Sequence, residues 1–265
     1  MARAKSSNAL WVGLFAAGLL MAGCGGKVSN PLGPRPPVAD AGYLASPAPL
    51  AVRLAGAGVV LSGSAAPGAR VRLATPQGQA LFADADRQGR WTIDLGGVAE
   101  PQIFGLSAAV AGRQMQAQGY VLVTAQGRAA LLRAGAGARR FDPARGSGLR
   151  TIDFDGGGGV EISALVPPGA TVILRLDGRQ LAQGRADAAG HYDASLPSAG
   201  ASAPVRRGLH QIQVYGDGFS DTVSFQLSVA PPLAQGPLRS QLTSAGLRVD
   251  WMTPGGGVQS TLLVH

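Results

Sequence analysis

Val59–Leu95 reads VVLSGSAAPGARVRLATPQGQALFADADRQGRWTIDL, and Val160–Leu196 reads VEISALVPPGATVILRLDGRQLAQGRADAAGHYDASL. The two stretches lie 101 residues apart and, without a gap, agree at 12 of 37 positions. The shared positions fall where a backbone is hardest to vary. Pro67-Gly68-Ala69 stands over Pro168-Gly169-Ala170, Asp86 over Asp187, Gly89 over Gly190 and Leu95 over Leu196, with Trp91 over Tyr192. A period of this length is a duplicated domain of about 90 residues, each copy long enough to close its own core.

Within each copy the pattern is antiparallel β. Val71 and Leu73, like Val172 and Leu174, alternate with residues able to face water, the period of a half-buried strand. Pro-Gly ahead of them sets a turn, proline fixing φ and Gly68 or Gly169 supplying the left-handed position. Asp86 to Gly89 and Asp187 to Gly190 read as turns whose carboxylate caps backbone N–H groups, so the aromatic two residues later points inward. In the second copy Ile212 and Val214, then Val223, Phe225, Leu227 and Val229, share one face across Gly216-Asp217-Gly218, a hairpin that closes a sandwich. A strand, P-G-A-x-V-x-L, then A-D-x-x-G-x-W/Y-x-x-x-L resembles the bacterial immunoglobulin-like domains that occur in tandem in envelope and surface proteins. The resemblance implies an all-β chain with two tandem immunoglobulin-like β-sandwiches, at residues 50–140 and 146–230, expected to melt separately.

Two segments fall outside that pattern. Gly119 to Ala134 reads as an additional hairpin turning at Ala125-Gln126-Gly127, either a decoration or the last strands of the first sandwich. Residues 238–265 read as a C-terminal β-hairpin: Leu247, Val249 and Trp251 alternate with Arg248 and Asp250, and Val258 to Val264 follows a glycine-rich turn. A lone two-stranded hairpin is marginal in water. It therefore docks on its own second domain or adds to another chain, and Trp251 is the anchoring residue in either case.

The single cysteine of the chain sits in Leu19-Leu20-Met21-Ala22-Gly23-Cys24-Gly25. Arg3 and Lys5 followed by the apolar run Ala9 to Gly23 have the layout of a secretory signal. The small residues before Cys24 resemble the lipobox of bacterial lipoproteins, which implies cleavage after residue 23, acylation of Cys24 and a lipid bilayer as first partner. Gly25 is not the aspartate associated with inner-membrane retention in that family, which points to the outer membrane. Residues 24–49 contain Pro31, Pro34, Pro36, Pro37, Pro47 and Pro49 and read as a disordered polyproline-like stalk.

Lys plus Arg number 23 against 15 Asp plus Glu. The arginines are scattered singly or in pairs, such as Arg139-Arg140, without the aromatic-interleaved stripe of a nucleic-acid groove. No G-x-S-x-G is present and Ser147 lies in linker composition. His191, His210 and His265 are isolated from any zinc spacing. Asp153-Phe154-Asp155-Gly156 opens like a calcium loop but lacks its distal glutamate. Asp153, Asp155 and Glu161 near the junction leave a calcium position open, although no metal or cofactor is expected. Asp86 and Asp187 are equivalents by duplication, not a paired acid and base. The expectation is a non-catalytic envelope lipoprotein with a protein or polysaccharide partner. The alternative is a glycan- or peptidoglycan-binding module using Tyr215 and Phe219 beside the Gly216–Gly218 loop.

Overall fold

In the computed structural model, which describes residues 43–143, 146–196 and 205–265, every regular element is a strand. The first sandwich uses β1 (Ala48–Ala55), β2 (Gly58–Ser64), β3 (Arg70–Ala74), β4 (Ala80–Asp84), β5 (Arg90–Asp94), β6 (Gln102–Val110) and β7 (Arg113–Val123). One sheet has the order β1-β2-β5, and the facing sheet runs β4-β3-β6-β7 before continuing into β8 (Ala129–Arg133) and β9 (Ala136–Arg140). The second sandwich repeats the plan with β10 (Gly148–Asp155), β11 (Val160–Leu165), β12 (Thr171–Leu176), β13 (Arg179–Arg185), β14 (His191–Leu196), β15 (Gly208–Gly216) and β16 (Phe219–Leu227). Its sheets are β14-β11-β10 and β13-β12-β15-β16. These are the strand orders of an immunoglobulin-like sandwich, as the repeat implies.

The duplication is visible bond by bond. Ala65 N–H donates to Gly89 O at 2.8 Å and Val166 N–H to Gly190 O at 2.9 Å. Asp86 Oδ1 accepts the N–H groups of Gln88 and Arg90, and Asp187 Oδ1 those of Ala189 and His191. Gly89 and Gly190 have φ of 77° and 84°. Trp91 and Tyr192 are buried, each in its own core.

The expected C-terminal hairpin is present as β18 (Gly246–Met252) and β19 (Val258–Val264), and β17 (Leu238–Thr243) precedes it as a third strand. β19 adds to β10, making one six-stranded sheet, β14-β11-β10-β19-β18-β17. The hairpin therefore docks in cis. The segment from Gly119 belongs to both alternatives: its first part is the end of β7, the last strand of the sandwich, and β8 and β9 continue the sheet.

These additions build a third core. Strand alternation sends Val121 and Val123 of β7 into the first sandwich and Leu122 out of it; Leu262 and Val264 of β19 enter the second, and Leu263 leaves it. Leu122 and Leu263 meet Ile103, Leu132, Val249 and Trp251 between the two. Strands buried on both faces read as continuous apolar runs, which is why YVLV and TLLV lack the polar alternation seen elsewhere. Leu44–His265 are accordingly one compact unit, and the expected independence of the two sandwiches gives way to a shared core. Two smaller readings also change. The segment expected to form a stalk does not extend to Pro49, because β1 begins at Ala48; Pro49 is tolerated there because β1 is an edge strand. Val229 lies beyond β16 and is exposed rather than on its inner face.

Candidate interaction site

The third core carries a polar seam. Thr151 and Asp153 of β10 alternate with Ile152 and Phe154, whose side chains fill the second sandwich. Their own side chains face β9 and β19. Asp153 Oδ2 accepts the N–H of Ala138 at 2.8 Å, and Oδ1 accepts Gln259 Nε2–H and the hydroxyl of Thr261. Thr261 Oγ1 in turn accepts Trp251 Nε1–H at 3.1 Å. The Thr151 hydroxyl donates to Ala138 O at 2.9 Å. Burial raises the Asp153 carboxyl to about 6, although the hydrogen bonds it accepts work in the other direction.

Beside this seam a cleft of about 660 Å³ opens between the sandwiches. One wall is the outer edge of β1, including Leu50, a side chain 62% exposed. The opposite wall is cationic. Arg140, at the end of β9, donates through Nε and Nη2 to Asp142 and through Nη1 to Val264 O. Arg150 of β10 donates to Asp142 O at 2.8 Å and lies 3.8 Å from the same carboxylate. The side chains of Arg140, Asp142 and Arg150 are 6%, 7% and 11% exposed, so two guanidiniums share one carboxylate out of bulk water. Burial lowers the Arg150 pKa, the neighbouring Arg140 charge lowers it further, and Asp142 opposes both. Arg139 extends the wall and pairs with Asp193 of β14 at 3.3 Å.

The residues expected to bind a ligand lie elsewhere. Trp251 is 0% exposed and Phe219 9%, so neither offers a ring face to a sugar. The Phe219 ring covers Gly216 so closely that an added Cβ would lie 2.7 Å from it. Tyr215 is half-buried beneath the Arg175 guanidinium, 4.8 Å from its ring centre. The turn residues are placed as expected: Gly68 and Gly169 have φ of 70° and 68°, and backbone N–H groups, those of Arg90 and His191 foremost, lower the carboxyls of Asp86 and Asp187.

Asp153, Asp155 and Glu161 are each engaged separately: Asp155 accepts Gly157 N–H at 2.7 Å, and Glu161 accepts the Ser195 hydroxyl. Among the described residues no three histidine, cysteine or carboxylate side chains gather around a common point. Cys24 and the segments expected to be a signal peptide and most of a stalk lie outside the described residues. Sequence reading missed the Arg140–Asp142–Arg150 cluster, whose members are scattered across a linker composition. It took Asp153 for a loop residue, although its place in TIDFD, alternating with two apolar side chains, is a strand signal.

No protein-family model and no curated protein matches the chain. Nineteen solved chains match in structure. One is the central fibronectin-III array of RIM-binding protein, covering 82% of this chain and 88% of that one at 11% identity with a TM-score of 0.26. Another is a 1.5-MDa bacterial ice-binding adhesin, from a structure concerned with its host cell surface retention, covering 78% of this chain and 80% of that one at 10% identity and TM-score 0.23. A third is the BSP domain of a biofilm-associated protein, covering 71% of this chain but 30% of that one at 11% identity and TM-score 0.23.

Proposed function

We propose that the chain is a non-catalytic envelope protein, tethered to the outer membrane through acylated Cys24, whose fused sandwiches form a rigid binding module held away from the lipid by the proline-rich stalk. The observation that carries this reading is the third core, in which Trp251, Leu122 and Leu263 join the two sandwiches. A preorganised pair loses little orientational freedom when it engages a partner, so more of the contact energy appears as affinity. Buried acyl chains contribute about 0.8 kcal/mol per CH₂, enough for several chains to hold the protein on a bilayer.

Two measurements test it. Fatty-acid labelling of the wild type and of Cys24→Ala, followed by fractionation, reads the anchor: the alanine variant is expected in the soluble fraction. Cross-linking in intact envelopes reads the module, with a protein or polysaccharide partner expected. An alanine variant that still sediments with washed membranes overturns the anchor, and an envelope-located chain with no cross-linked partner overturns the binding role.

A further inference from the structure

The two sandwiches differ at one equivalent place. β1 and β10 are their first strands; each pairs with the next strand through a β-bulge near its start, at Leu50 and at Arg150. β10 is hydrogen-bonded on both sides, by β11 and by β19. β1 is hydrogen-bonded to β2 alone among the described residues. The chain thus shows what its duplicated edge accepts: an added antiparallel strand. On the first sandwich that edge faces the interdomain cleft.

We infer that the cleft takes an extended, acidic peptide segment of a protein partner, which adds to the outer edge of β1 and sets its carboxylates against the arginine wall. The inference rests on the reading of the chain as a binding module and names its ligand. Three features fix the chemistry. The unpaired main-chain groups of an edge strand call for a second main chain in extended form, which a polysaccharide does not supply. Leu50, bulged and exposed, offers an apolar contact beside that edge. Across the cleft Arg139, Arg140 and Arg150 face two carboxylates, Asp142 and Asp193. Two of the three guanidiniums already share Asp142 where water is largely excluded, so an incoming carboxylate meets uncompensated positive charge in a low-dielectric setting.

The test uses the full chain in detergent and three octapeptides: alternating Thr-Glu, alternating Thr-Lys, and the acidic peptide with proline at alternate threonines. The acidic peptide is expected to bind and to slow amide exchange in β1, the lysine peptide to bind at least tenfold more weakly, and the proline-interrupted peptide to lose binding. Arg139→Glu, a change at an exposed position, should weaken the acidic peptide about tenfold and improve the lysine peptide. Binding that leaves β1 exchange unchanged, equal binding of acidic and basic peptides, or no peptide binding overturns the inference. A chain that cross-links to an envelope partner yet ignores these peptides overturns it alone and leaves the module reading standing.

Discussion

The carboxylate of Asp153, in the first strand of the second sandwich, accepts the backbone N–H of Ala138, in the last strand added to the first, at 2.8 Å. Among the described residues no arginine or lysine hydrogen-bonds to it; its other donors include Thr261 and Gln259 of β19. A buried carboxylate held by neutral donors is satisfied in hydrogen bonds but not in charge. It therefore links β10 to both added strand groups, through β9 and through β19, while making that link sensitive to protonation.

The sign follows from the two pKa values. The folded value, about 6, lies above the ordinary 3.8, so the native state binds the proton more tightly and the carboxyl's contribution to stability is greatest below about pH 4. It falls as pH rises through 6, by up to about 3 kcal/mol. Urea unfolding of the wild type and Asp153→Asn from pH 4.5 to 7.5 checks this. The difference between them should change across that window, and a constant difference would remove Asp153 as its source. Subtracting the variant cancels the nearby Asp155 and Glu161.

Trp251 tests the fusion of the sandwiches. It is fully buried, stacks edge-on against Tyr120 at 6.0 Å and donates to Thr261. Trp251→Ala should cost about 3–5 kcal/mol as a truncation in a packed core. The loss should reach both units, so amide exchange near Val71 and near Val172 rises together in one cooperative transition. Loss of protection in the second sandwich alone would show that the third core does not couple them.

How legible this was depends on range. The Pro-Gly and Asp-x-x-Gly turns are local devices whose residue types dictate the backbone, and the structure reproduces them in both copies. β17 escaped because Arg239, Ser240 and Gln241 present polar side chains on an edge strand, with no apolar period to read. Phe219 and Trp251 are aromatics beside glycine-rich loops, and nothing in their neighbourhood tells a ring that packs from one that waits for a ligand. Asp153 opens a D-F-D-G stretch that reads locally as a loop, and nothing in it shows that β9 and β19 cover the carboxylate. The third core needs pairing partners more than a hundred residues apart, which periodicity alone does not reveal.

Gly169 and Gly190 separate two costs that coincide in many turns. Both have φ in the left-handed region, 68° and 84°. An added Cβ at Gly169 meets open space, whereas at Gly190 it would lie 2.2 Å from Val166 O. Gly169→Ala should cost about 1–2 kcal/mol for the conformation alone. Gly190→Ala adds a backbone displacement and should cost about 1–3 kcal/mol more. Equal chemical-denaturation losses would mean that the Val166 carbonyl moves aside freely.

His210 carries a second pH dependence. Nδ1 lies 2.7 Å from Asp177 Oδ2 and Nε2 lies 2.6 Å from Arg206 O. Both oxygens only accept, so both ring nitrogens donate when the imidazole is protonated, and the neutral ring loses one bond. Burial lowers the His210 pKa, but the hydrogen bonds to Asp177 and Arg206 and the Asp177 charge outweigh it, leaving the value above 6.5. The contribution to stability is therefore complete below 6.5 and is lost as pH rises through the raised folded value. The Asp177 carboxylate is half exposed, so solvent screening keeps the effect at or below about 1 kcal/mol. Asp177→Asn is the informative variant, because Asp177 has φ of 51° and Asn tolerates that turn position. Its side-chain oxygen can still accept Gln211 N–H, as Asp177 Oδ1 does at 2.9 Å. NMR titration should show the His210 pKa falling toward 6.5 in Asp177→Asn, with a larger stability loss at pH 5 than at pH 8; an unchanged titration would mean that the Arg206 carbonyl alone holds the proton.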